Sequence, residues 1–164
     1  MTNLYQGLAR GTIGPRDANT VINMIANETN IEMGGVVKGD LTLDSTELLP
    51  RADKTDTAEE IVYGIVVGGD NDGIYGTGGA SPADNTTKAS LLVGDAIVVC
   101  TQGRCLARIT ATTTVGAPLS SDGTDALKLA NVVGGMIIAR ALQVGASGDI
   151  IAVDVQREGD WGVA

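Results

Sequence analysis

The side chains able to do chemistry are few. Cys100 and Cys105 are the only cysteines, in Val98-Val-Cys-Thr-Gln-Gly-Arg-Cys-Leu-Ala-Arg. Apolar residues flank a polar, Gly-containing middle, the pattern of a β-hairpin with a four-residue loop. Such a hairpin sets the two sulfurs opposite each other, where Cα atoms lie near ~5.5 Å and a disulfide is sterically allowed. Two readings stand side by side: free thiols that fill space, and a disulfide that closes a very small loop for a modest entropic gain. Two thiolates without His complete no structural zinc site unless carboxylates join them, so neither cysteine is expected to be a metal ligand.

The carboxylate pairs Glu59/Glu60 and Asp122/Asp125 have the residue types for acid–base work on a sugar. Such sites use aromatic walls, and the chain holds three Tyr, one Trp and no Phe, too few to build one. Asp70-Asn-Asp-Gly opens like a calcium loop, but an EF-hand needs an oxygen ligand and then a Glu where Ile74 and Ser81 stand. Gly76-Thr-Gly-Gly-Ala-Ser has Ser81 in place of the third Gly of a dinucleotide fingerprint, and no Lys-Ser/Thr follows it. The sequons Asn27-Glu-Thr and Asn85-Thr-Thr are read as chance matches. His is absent, which removes His-based triads, His metal sites and imidazole proton shuttles. The expectation is a protein that is not an enzyme and has no catalytic residues, cofactor or metal.

Composition narrows the rest. The 164 residues, 16.7 kDa, suffice for one domain. Of these, 43% are apolar, so with so few aromatics the core must be Val, Ile, Leu and Ala. The formal charge is −9, and Gly numbers 23. An acidic chain poor in aromatics has neither the basic patch nor the stacking platform of a nucleic-acid binder. No apolar run approaches the ~20 residues of a membrane span, and the N-terminus lacks a basic region followed by an apolar stretch. Synthesis in a cytoplasm, with neither nucleic acid nor membrane as partner, is the expectation. Residues 1–16 carry Arg10 and Arg16 and no acid, so a small basic arm precedes a body more acidic than the net charge.

The elements read as strands and turns. Lys38-Gly-Asp-Leu-Thr-Leu, Val93-Gly-Asp-Ala-Ile-Val-Val and Ser147-Gly-Asp-Ile-Ile-Ala-Val-Asp-Val each place Gly-Asp, a turn signal, before aliphatic residues. Alternation or apolar runs demand burial of Leu41, Leu43, Ile65, Val67, Ile97, Val99, Ile138, Ile151, Val153 and Val155. Roughly eight short strands predict an all-β fold, a compact barrel or sandwich. Residues 17–27 fit a helix or a strand equally. The division expected is an extended N-terminal arm at 1–25, one β domain at 26–158 with a Gly-rich loop at 68–87, and a C-terminal tail at 159–164. The arm is broken by Gly7, Gly11, Gly14 and Pro15. Its Leu4, Tyr5, Leu8 and Ile13 are apolar and Arg10 and Arg16 basic, the candidate partner-binding residues.

A resemblance rests on the order of elements in the C-terminal half. Leu91-Leu-Val-Gly-Asp-Ala-Ile-Val-Val is followed by Arg104-Cys-Leu-Ala-Arg-Ile-Thr-Ala-Thr and Val115-Gly-Ala-Pro-Leu. Then come Val132-Val-Gly-Gly-Met-Ile-Ile-Ala-Arg-Ala-Leu and Gly145-Ala-Ser-Gly-Asp-Ile-Ile-Ala-Val-Asp-Val. Over roughly residues 88–156 this resembles the small capsid decoration, or cement, proteins of tailed viruses, and residues 26–68 look like a looser copy. The resemblance implies a β-tulip-like domain on the outer surface of an icosahedral shell, often trimeric, bound between major capsid subunits. Two other readings remain: a tail or fibre component of the virion, and a trimeric β-fold carbohydrate-binding module or enzyme.

Overall fold

The computed structural model describes residues 19–40, 49–58, 60–69, 93–130 and 136–156. Its strands are β1 (Thr20–Ala26), β2 (Val36–Asp40), β3 (Arg51–Lys54), β4 (Gly64–Gly69), β5 (Ala96–Arg108), β6 (Pro118–Ser121), β7 (Leu127–Leu129), β8 (Ala139–Ala141) and β9 (Ile150–Val155). No helix occurs among the described residues, and the fold is all-β. Residues 20–25 form most of β1, so the arm boundary drawn at residue 25 runs through a strand of the sheet.

Five strands close a barrel in the order β1-β3-β2-β4-β5, because β5 also pairs antiparallel with β1. The β1–β3 contact is parallel, and the other pairs in the ring are antiparallel. β5 runs on beyond the barrel and pairs with β9, which begins a second set ordered β5-β9-β8-β6-β7. This set curls back on β5. Ile109, just past the end of β5, bridges Leu127 in parallel, and the Thr110 N–H donates to the Leu127 carbonyl at 2.8 Å.

Two cores follow. Met24, Ala26, Ile31, Val37, Ala52, Val66, Ile97 and Val99 form one. The larger contains Val36, Ile65, Val67, Cys100, Cys105, Ala107, Ile109, Leu119, Leu127, Ile151, Val153 and Val155, with neighbours from β8. Adjacent residues of β2 and β4 belong to different cores: Val36 to one and Val37 to the other, Ile65 and Val67 against Val66. Strands buried on both faces read as unbroken apolar runs, as Ile65-Val-Val does. All the expected core residues that fall among the described ones are buried, namely Ile65, Val67, Ile97, Val99, Ile138, Ile151, Val153 and Val155. Leu41 and Leu43 lie outside the described residues.

The hairpin expected at Cys100–Cys105 does not form. β5 is continuous through it because its middle residues find strand partners: Gln102 faces Thr20, Gly103 faces Val155 and Arg104 faces Asp154. Gly103, at φ +99°, bends the strand instead of turning it. The β1 register skips Thr101, a bulge whose hydroxyl donates to the Thr20 carbonyl at 3.2 Å. Before this point Cys100 enters the larger core; beyond it Cys105, Ala107 and Ile109 do. The inward parity has changed from even to odd, which puts both cysteines on one face.

The turns obey a stricter rule than the Gly-Asp pattern. Gly34, Gly94, Gly116 and Gly148 all have positive φ, and each precedes by two residues the first residue of a strand: β2, β5, β6 and β9. In three of them the fourth residue of the turn donates back to the first: Gly35 to Glu32, Ala117 to Thr114 and Asp149 to Ala146. That is the type II arrangement with Gly at the third position. Gly39-Asp40, expected to turn, lies within β2 opposite Ala52 and Arg51, and the turn before β2 is at Gly34.

Two kinds of glycine are separable by experiment. A Cβ at Gly64 would collide with the Cys100 carbonyl and the Val99 side chain, whereas at Gly148 nothing lies within 4 Å. Gly148→Ala is expected to lose only the cost of positive φ, about 1–2 kcal/mol. Gly64→Ala forces β4 off β5 and is expected to lose about 3 kcal/mol, the upper range for overpacking. Urea unfolding of the two variants checks the order; an equal or reversed order would contradict the close β4–β5 approach.

Candidate functional site

Several polar clusters, two buried thiols and one apolar face occur among the described residues. The first cluster lies where the barrel meets the second set of strands. Arg108 near the end of β5 pairs with Glu32 at 2.7 Å and with Asp125 at 3.1 Å. The backbone is tied at the same place. Val36 N–H donates to the Asp125 carbonyl at 2.9 Å, Arg108 N–H to the Gly34 carbonyl at 2.9 Å, and Asp125 N–H to the Thr55 hydroxyl at 3.0 Å. Burial pushes the Asp125 carboxyl up, against the pull of Arg108. Asp125 also holds φ +64°, a conformation that Asp tolerates better than most residues. The cluster joins the turn before β2, the end of β5 and the loop before β7.

Asp122, the partner of Asp125 in the carboxylate pair set aside for acid–base work, closes its own loop. Its carboxylate accepts from the Thr124 N–H and hydroxyl, both at 2.6 Å, and from the Ala126 N–H at 3.1 Å. Burial pushes its pKa up, but these bonds and one from Thr110 outweigh that and leave it below the ordinary value. Glu60 likewise accepts from the Asp56 and Thr57 N–H groups at 2.6 and 3.1 Å, and Lys38 reaches Asp56 at 2.8 Å. Glu59 lies outside the described residues. The described carboxylates of these pairs each hold loop backbone or an ion pair.

Cys100 and Cys105 are both buried free thiols. Cys100 Sγ donates to the Gln102 carbonyl at 3.4 Å. The influence of Cys100, then burial, push the Cys105 thiol well above its ordinary range. Among the described residues no group of three or more His, Cys, Asp or Glu has the arrangement to hold a metal.

Asn19 was not singled out by sequence, and it fixes where the chain enters the fold. Its Oδ1 accepts from the Arg104 N–H at 2.8 Å and its Nδ2 donates to the Arg104 carbonyl, so the side chain imitates a paired strand residue. A Cβ on Gly103 would strike Asn19, which is why this step of β5 has no side chain. The arm candidates Leu4, Tyr5, Leu8, Arg10, Ile13 and Arg16 lie outside the described residues, as do the 159–164 tail and most of the Gly-rich loop.

The apolar face is at the turn before β6. Between the Thr113–Gly145 bridge and the Pro118–Arg140 pair, Val115, Leu142 and Val144 are exposed, the two valines to about two-thirds of their surface. Val93 sits at the same position of its turn as Val115, one residue before the positive-φ glycine, and is exposed too. Val-Gly at a strand entrance was the available signal for these residues. Such a surface can bury apolar area against a partner; it has no group that reacts.

No protein family and no curated protein sequence matches the chain. Solved structures do. One is described as the head fiber gp8.5 N base in bacteriophage phi29, matched at a TM-score of 0.54 and 8% identity over 85% of this chain and 96% of that one. At that identity the likeness shows a shared fold.

The loop carboxylate gives a pH prediction. A carboxyl whose folded pKa is depressed contributes stability above its unfolded pKa and loses it as pH falls through the folded one. Asp122→Ala is expected to destabilise the protein by about 1–2 kcal/mol at pH 7, the lower range for charged hydrogen bonds because the group is partly solvated. The gap between variant and native protein should close as pH falls below the ordinary value of 3.8. Urea midpoints at pH 7 and pH 3 check this; a constant gap would remove the carboxylate's charge from the explanation.

Proposed function

We propose that this chain is a structural protein of a virus particle, bound to the outside of an icosahedral shell between major capsid subunits, which it stabilises. The observation that carries the reading is the fold it shares with the phage head-fibre base across nearly all of that chain. Three features support it. The carboxylates are spent on loops and ion pairs, exposed aliphatic residues remain at turn tips, and the order of elements over 88–156 resembles that of decoration proteins. The chain is proposed to act without catalysis, as a homotrimer on the virion surface. Each contact with the shell need be only modest, because simultaneous attachment to a preformed lattice multiplies weak contacts.

The head-fibre likeness favours a second reading, in which the chain is the base of a projecting fibre on the head. The two differ in what the particle shows. Electron microscopy of particles mixed with the purified protein is expected to reveal compact knobs between capsid subunits and shells that resist heating better. Long projections at a few positions would favour the fibre, and density confined to a tail would overturn both. Light scattering is expected to give about three times the 16.7 kDa chain mass. A melting-temperature rise with a sugar panel would instead favour a carbohydrate-binding module.

The arm is proposed to supply part of the contact. Deleting residues 2–16, which precede the Asn19 anchor, should leave the melting temperature nearly unchanged. It should weaken trimer formation or shell binding by about tenfold or more, roughly 1.4 kcal/mol. Undiminished decoration by the truncated protein would remove the arm from the mechanism.

A further inference from the structure

We propose that the outer face of β5, β9 and β8 is the surface through which copies of this chain associate. The inference rests on the self-association proposed above and names the residues that carry it. Beyond the bend of β5, inward and outward residues alternate. Cys105 and Ala107 of β5, Ile151 and Val153 of β9, and Ala139 and Ala141 of β8 enter the larger core. The residues between them point the other way, and residues paired across strands share a face. Arg104 pairs with Asp154 and Asp154 with Arg140, which makes one outward row. Leu106 and Ala152 begin a second row, and Arg108 and Ile150 a third. Leu142 continues the second, its N–H donating to the Ala152 carbonyl at 2.9 Å.

An antiparallel sheet with one solvated face presents polar residues outward. This face does so in its first row and not beyond it. Leu142 and Ile150 are 37% and 43% exposed, Val144 in the adjoining turn is 67% exposed, and none of the three belongs to either core. Leu106 is half-buried and likewise outside both. Apolar residues grouped on a surface and bordered by charge mark a place where another protein sits.

Charge selects the occupant. Two copies of a chain with a formal charge of −9 repel wherever both present acids. The first outward row has two Arg to one Asp, so copies meet along it without that penalty. Its order, Arg104-Asp154-Arg140, is also self-complementary. Displaced by one strand spacing, about 4.8 Å, the Asp154 of one copy lies over an Arg of the next. The apolar rows then meet their own counterparts. Three copies turning this face toward a common axis would bury it together.

The test is the mass of the purified full chain by sedimentation over a range of concentrations. Leu142→Glu and Val144→Glu should each weaken association about tenfold or more and move the mass toward 16.7 kDa, with the far-UV strand spectrum unchanged. Leu142→Met should associate as the native chain does. Val93→Glu puts the same charge on an exposed valine of the turn before β5 and should leave association intact. Should Leu142→Glu fail to fold, the uncharged Leu142→Gln takes its place with the same expected loss. An assembled Leu142→Glu chain would overturn this face and leave self-association standing. A native chain that stays at 16.7 kDa would overturn both, and loss of particle binding by Leu142→Glu would then give the face to the shell. Equal dissociation by Val93→Glu would trace the effect to added charge and also overturn the proposal.

Discussion

The structure depends on one strand being the wall of two cores. The first half of β5 sends Ile97 and Val99 into the barrel and Cys100 the other way; its second half sends Cys105 and Ala107 into the larger core. A strand that must bury both faces and then continue into a second set of partners has to change parity somewhere. The Thr101–Arg104 stretch is where it does so. Thr101 is the extra residue, Gly103 has the backbone freedom and Asn19 satisfies the exposed edge of Arg104. Remove that step and the odd residues beyond it would face outward.

The near absence of aromatic residues follows from the same geometry. A five-stranded ring has a narrow interior, filled by the side chains of few residues per layer. Ala26 and Ala52 sit inside it beside Val and Ile, and β4 approaches β5 so closely at Gly64 that no Cβ fits. Bulk has to come from branched aliphatics in single layers. Fully buried Ile31 and Ile97 are that bulk. The stability so gained is spread over many small contacts, with the Arg108 ion cluster closing the seam between the two cores.

This explains which parts of the fold were legible in the sequence. Alternation in Ile151-Ala-Val-Asp-Val marks a strand with one buried face, and the structure agrees at each position. The runs Ile65-Val-Val and Val98-Val-Cys signal burial but not to which core, because period-two reasoning has no entry for a strand buried on both faces. The polar stretch Thr101-Gln-Gly-Arg has the composition of a loop, yet partners on both edges make it strand. No local signal distinguishes a turn from a bend whose hydrogen bonds are supplied by residues some 50 to 80 positions away, at Val155 and Thr20. Of the polar candidates, Asp122 and Asp125 were identifiable as a pair. Their roles depend on loop backbone and on Arg108, which only the fold assembles.

The entry and exit of the described fold deserve the same geometric reading. Asn19 lies on one edge of β5 at Arg104, and Val155 pairs with the neighbouring Gly103. If they flank the strand on opposite edges, as the alternation of backbone groups along β5 requires, about two strand spacings separate them, roughly 10 Å. The unit is thus a loop closed at its own neck. It could be spliced into a turn of another chain, or have its ends joined by a short linker and be reopened at the Gly148 turn. Evolution could likewise move such a unit between scaffolds as a cassette, without redesigning what lies inside it.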